Sequence, residues 1–177
     1  MIDFEEGIFN PENWFKQSWE MFEASKILCK PLTARHPIQS EQDNYRRVGS
    51  MKGAMLLLGL SAENALKGAF VYKSPPDLVK ARLNPKHFHE VAHDLTDLAK
   101  RLELNLSKIQ VSLLERLTIS VQWASKYQTP LKKSEHERAT GKIKLKYPSD
   151  YKLVEELIRD LQKASGFDEV NGWSHKN

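Results

Sequence analysis

One cysteine, Cys29, occurs in 177 residues, which excludes an intramolecular disulfide and any cysteine-based zinc knuckle or iron–sulfur site. Histidine and carboxylate remain as the metal-ligating types. With no disulfide framework to require an oxidising compartment, a cytoplasmic protein is the default expectation. The first 25 residues carry Asp3, Glu5 and Glu6 and no long apolar run, so neither a secretory signal nor a membrane-inserted segment is expected. Internal repeats and low-complexity stretches are lacking, and alternating β patterns are almost absent. No sign of charge dominates: 27 Lys and Arg stand against 23 Asp and Glu, a formal net charge of +4, which permits contact with nucleic acid without requiring it.

Apolar material, in contrast, is sufficient for a core. Hydrophobic residues make up 40% of the chain, with four Trp and seven Phe, and the length fits one domain rather than two. We therefore expect a single domain over residues 1–177, with a core over about 10–165, a short N-terminal arm, a basic loop at 128–148 and a partly mobile tail from Phe167. Asn10-Pro11-Glu12 has the form of a helix start, with a capping side chain, proline at the first helical position and an acid in the first turn. Phe15, Trp19 and Phe22 then repeat at helical spacing up to about Pro31. A polar loop over 31–46, within which a start of the next helix is an alternative, is expected next. From about Arg47 to Tyr72 the chain is apolar around most of its circumference yet carries Glu63, Asn64 and Lys67, which marks the central buried helix rather than a membrane span. Leu95, Leu98 and Leu102 predict a third helix. Ser107 and Gln110 form a capping box opening a fourth that runs to about Tyr127. Residues 142–147 alternate and predict a short exposed strand. Ser149 or Asp150 caps a last helix, lined by Leu153, Leu157 and Leu161 and ending before Gly166. Five helices with little β signal predict an all-α, antiparallel up-and-down four- to five-helix bundle.

The succession of segments carries a resemblance. Ser61-Ala62-Glu63-Asn64-Ala65-Leu66-Lys67-Gly68 in an apolar second helix is followed by His93-Asp94-Leu95-x-x-Leu98, then by Ala124-Ser125-Lys126-Tyr127-x-x-Pro130, then by Lys146-Tyr147-Pro148 before the last helix. Over roughly residues 12–165 this order resembles the HEPN family, whose name refers to nucleotide-binding proteins of higher eukaryotes and prokaryotes. Lys126 or Lys146 stands where the family's Arg-Tyr-Pro element has arginine. The resemblance implies a helical bundle, usually a homodimer, found in toxins of toxin–antitoxin pairs, in defence and RNA-processing ribonucleases, and beside nucleotidyltransferase-type protein partners. Some members cleave RNA without metal through an Arg, four to six residues, His motif; others bind nucleotide, nucleic acid or a partner protein.

Four constellations bear chemistry. Arg82 and His87 have the spacing of that motif, with arginine suited to a scissile phosphate and histidine to proton transfer near neutral pH; Leu83 and Pro85 between them depart from its usual form. His89-Glu90-Val91-Ala92-His93 has the literal form of zinc peptidases, in which two histidines one helical turn apart hold the metal and the glutamate acts as base. Glu115 is the candidate third ligand. Asp94 directly after the second histidine and the lack of a preceding sheet disfavour this zinc hydrolase, and no cofactor is expected otherwise. Glu63 and Lys67 sit at i, i+4 in the favourable order, either specifying packing or facing a site together with His93 and Asp94. Finally, Lys126, Lys132, Lys133, Arg138, Lys142, Lys144 and Lys146, flanked by Tyr127 and Tyr147, supply the cations and aromatic faces that single-stranded RNA uses. The alternative for that stretch is a solvated loop, and for the whole chain a non-catalytic partner-docking bundle.

Overall fold

The structure, a computed structural model, describes residues 3–33, 37–79, 82–84, 87–88 and 93–174. It is mostly helical. Helices α1 (Phe4–Phe9), α2 (Pro11–Thr33) and α3 (Glu41–Lys73) are followed by a two-stranded hairpin, β1 (Leu78–Val79) with β2 (Arg82–Leu83). Then come α4 (Leu95–Arg101), α5 (Lys108–Ile119), one π-helical turn (Ser120–Ala124), α6 (Lys133–Ala139), α7 (Ser149–Ala164), and a second hairpin, β3 (Phe167–Asp168) with β4 (Gly172–Trp173).

α3 is the centre, touching α2, α4, α5, the π turn and α7. At 33 residues it is about 50 Å long at 1.5 Å per residue. Its length and composition match a membrane span, but most of its apolar stretch is buried inside the protein. Small residues let its neighbours come close. Ser18 Oγ donates to the Ser61 carbonyl at 2.8 Å and Ser25 Oγ to the Ala54 carbonyl at 2.7 Å, which ties α2 to α3 at two levels. A Cβ on Gly59 would stand 2.3 Å from Val121 Cγ2 and 3.3 Å from the Leu117 carbonyl, so α5 and the π turn lie against α3 at a distance only glycine allows. Phe15, Phe22, Leu58, Leu66, Leu98, Leu117 and Ile158 fill the shared core.

Several expectations from sequence are corrected. α2 does not stop at Pro31 but ends at Thr33, because proline in a last turn removes only one backbone donor. α3 begins at Glu41 rather than Arg47: Ser40 Oγ accepts from Asp43 N at 3.1 Å, and acids in the first turn favour a start there, although those turns are largely exposed and show no apolar period. The fourth helix changes to π geometry at Ser120, with Ser125 N bonded to the Ser120 carbonyl. The capping box of Ser107 with Gln110 forms as expected. Within the basic loop a short α6 appears, which had no periodic signal because Ala139 is its sole buried residue. Residues 142–147 form no strand. The tail up to Ser174 packs back on the bundle: Trp173 is buried against Phe15, ring centroids 5.5 Å apart, and Asp168 Oδ1 accepts from Val170 N and Asn171 N to turn the hairpin.

The sharpest correction concerns Asp150. The residue before α7 is Pro148, and no side chain caps the helix. The Asp150 carboxylate instead receives both Arg116 terminal nitrogens, at 2.7 and 2.8 Å, and the Lys146 amide at 2.7 Å, while Arg116 also donates to the Lys144 carbonyl at 2.7 Å. Both side chains are buried. This bidentate pair locks the end of the basic loop and the first turn of α7 to α5. Asp150→Ala leaves a buried guanidinium without its carboxylate and is expected to cost about 3–5 kcal/mol, whereas replacing Arg116 and Asp150 together by Met and Leu restores most of the loss. Urea denaturation of the single and double variants checks this.

Candidate functional site

Two polar groupings emerge on either side of residues 93–94. The first is built on α3. Glu63 is 2% exposed, and a buried carboxylate needs partners. Lys67 Nζ lies 2.6 Å from Oε1, one turn along the helix. His93 Nδ1 lies 3.0 Å from Oε1 and 2.9 Å from Oε2. Lys67 is itself fixed by aromatic faces, with Nζ 5.9 Å from the Trp14 centroid and 5.3 Å from that of Phe88. Burial pushes the Glu63 carboxyl upward, but the hydrogen bond from His93 and the charge of Lys67 outweigh it, and the net effect is a pKa below the ordinary 4.5.

Backbone geometry sets His93 in place. It has φ +61°, a left-handed conformation uncommon outside glycine, immediately before Asp94. Asp94 caps α4 by accepting from Thr96 N and Asp97 N, both at 3.0 Å, and Thr118 Oγ1 accepts from Leu95 N. His93 itself is therefore not in a helical conformation. His89 and Glu90 lie outside the described residues. Glu115, the candidate third ligand, faces a different partner, Lys142 Nζ at 3.5 Å.

The second grouping is a cleft of about 1240 Å³ between the α5–π segment, the 126–132 connection and α6. Trp123 and Ile119 belong to its apolar wall, and Trp123 stacks on His136 at 6.4 Å and 29°. Lys126, Lys132, Arg138 and Lys142 line it, with Asp94, Glu115 and Glu135 as the acids. Tyr127 is well exposed at its edge, with Lys126 Nζ 5.8 Å from its ring. The π turn produces this opening, because it packs Trp123 and Ala124 on Ala139 of α6 and sends the following residues outward.

Of the residues singled out from sequence, Asp94, Lys126, Tyr127 and Lys132 thus meet in the cleft, and Glu63, Lys67 and His93 meet in the cluster on α3. Lys133 is exposed on α6 near Glu137, and Lys146 is exposed before α7; neither lines the cleft. Arg82 is exposed in β2, opposite Val79. His87 Nε2 donates to the Ser74 carbonyl at 2.9 Å, and the ring packs edge-on against Phe70 at 5.2 Å. Arg101 holds the His87 and Phe88 carbonyls, so His87 anchors this connection. Trp123, Gln122 and Thr118 contribute to the cleft without being predicted as site residues; their only signal is position on the face of the fourth helix opposite its apolar stripe.

No family model, curated protein or solved structure matches the chain. The site stands on its own geometry.

The charge linkage of Glu63 has a testable sign. A carboxyl with a lowered folded-state pKa contributes stability above its unfolded value and loses it as pH falls through the folded one. Glu63→Gln is expected to be less stable than the parent at pH 7, with the two converging as pH falls below 4.5. Chemical denaturation from pH 7 to pH 3 measures the convergence, and a constant gap would contradict it.

Proposed function

We propose that the chain is an HEPN-like helical bundle that binds single-stranded RNA in the cleft between the π turn and α6. The observation that carries this reading is the convergence of Lys126, Lys132, Arg138 and Lys142 around an opening edged by Tyr127. Lysine and arginine meet phosphates, and an exposed tyrosine offers a stacking face for an unpaired base. A duplex would leave that face unused, since its bases are already stacked. The acids in the cleft serve the same end: Glu115 pairs with Lys142, and Asp94 and Glu135 supply acceptors for the amino groups of bases. The order of helices and the elements Glu63 to Gly68, His93-Asp94-Leu95 and Lys126-Tyr127 support the family assignment.

Binding is expected to weaken steeply with salt. Fluorescence anisotropy with a labelled 12-nucleotide RNA should give a linear fall of log affinity with log salt. Substituting alanine for Lys126, Lys132 and Arg138 together should reduce that slope by about 2, at about 0.7 for each phosphate no longer neutralised. An unchanged slope, or equal affinity for a duplex, would contradict the assignment; binding of a mononucleotide alone would reassign the cleft to a nucleotide.

A further inference from the structure

A second cavity, of about 560 Å³, lies between α1, the end of α3 and the second hairpin. It shares no residue with the cleft beside the π turn, and its size is that of a small-molecule site. We propose that it binds a small organic cation, a quaternary ammonium group carried on a free compound, among aromatic side chains and next to two carboxylates.

Phe9, Tyr72 and Trp173 all line it. Trp173 is 6% exposed and is held by Phe15 and Phe167, whose ring centroids are 5.5 and 5.4 Å away. Phe9 and Tyr72 are 37% and 52% exposed, so ring surface is left for a ligand. Tyr72 lies beside the chain that leaves α7: a Cβ added to Gly166 would stand 3.5 Å from its Cε2 and Oη. Aromatic rings attract cations through their quadrupole, and several rings around one space suit a quaternary ammonium, whose methyl-covered charge needs no hydrogen-bond acceptor.

The charge around the cavity has one sign. Glu5 and Glu6 line it, and among the described residues no lysine, arginine or histidine does. In a chain of net charge +4 this is a local reversal. Three helices also end here. Asn10 is the C-cap of α1, Ser165 is that of α7, and Tyr72 lies in the last turn of α3. Each such end carries a partial negative charge. One helix opposes them, because α2 starts at Pro11 on the same wall, but the Asn10 side chain accepts from Glu12 N and Glu12 places a carboxylate in that first turn. The cations at the ends of α3 and α7 are paired with other acids, Lys73 with Glu103 at 2.8 Å and Lys163 with Glu169 at 2.9 Å. An anion is thereby disfavoured. A primary ammonium is strongly hydrated and would lose more on entering an aromatic cavity than a quaternary one does.

The test is an NMR titration of the full chain with choline and with 3,3-dimethylbutan-1-ol, its neutral counterpart of the same shape. The reporter is the indole N–H signal of Trp173, assigned by its disappearance in Trp173→Phe. We expect choline to shift that signal to saturation and to bind at least about tenfold more tightly than the alcohol. Tyr72→Leu keeps apolar bulk without the ring and should weaken choline at least about fivefold. Glu5→Gln combined with Glu6→Gln changes only exposed side chains, which keeps the fold intact. It should weaken choline about threefold and leave the alcohol unaffected. Equal affinity for the two probes, no saturable shift at Trp173, or choline affinity unchanged in either variant overturns the proposal. A short peptide carrying trimethyl-lysine separates the sources of the cation: binding more than about tenfold tighter than choline would overturn a free compound in favour of a protein side chain. RNA binding should be the same in both variants, so failure of this site leaves the strand-binding reading in place.

Discussion

The buried pair of Arg116 and Asp150 is the interaction on which the surface of this protein depends. It joins residues 34 apart in sequence, and because Asp150 also accepts the Lys146 amide and Arg116 also grips the Lys144 carbonyl, it fixes a segment that has no ladder of its own. A basic loop left to itself would extend into solvent through self-repulsion. Here its far end is stapled to α5, its near end is turned outward by the π segment, and α6 closes the space between. The cleft is the volume that remains.

A second buried charge, Glu63, organises the opposite side of the same junction. Its carboxylate draws Lys67 from its own helix and His93 from the connection before α4, and Lys67 in turn seats Trp14 and Phe88. Arg101 secures that connection by binding the His87 and Phe88 carbonyls and lying 4.8 Å over the Phe70 ring. Two ion-paired groups, each centred on one buried carboxylate, thus hold the connection before α4 and the connection before α7. Polar groups this deep are costly unless satisfied, and their mutual satisfaction defines a single arrangement of the loops around a core that apolar packing alone would leave adjustable.

Much of the helical scaffold was legible in the sequence because its signals are local. Asn10 and Pro11 start α2, and the Asn10 side chain accepts from Glu12 N at 2.9 Å. Ser107 and Gln110 form their capping box, and Leu157 and Leu161 are buried on α7. The i, i+4 pairing of Glu63 and Lys67 was equally visible, as one turn of helix brings them together. What failed to show was whatever depends on a distant partner. Asp150 reads as a cap because three residues of sequence cannot reveal Arg116. Trp173 reads as tail because Phe15 is far away in the chain. The bond from His87 Nε2 to the Ser74 carbonyl, thirteen residues back in the chain, has no signal in the sequence either.

The sequence by itself determined the class of structure, an assembly of helices about one apolar central helix, since helical period, caps and the scarcity of alternating segments are properties of short windows. It also determined that cations gather between residues 126 and 146. Tertiary structure alone decided which of them face one another. Lys126 and Lys132 enter the cleft and Lys133 and Lys146 do not, because their directions are set by a π turn, by a seven-residue helix with one buried anchor, and by a buried ion pair between α5 and the start of α7. His93 acquired its carboxylate in the same way: a left-handed residue before a helix meets Glu63 only when α3 and α4 are packed, and packing is not written in any single segment of the chain.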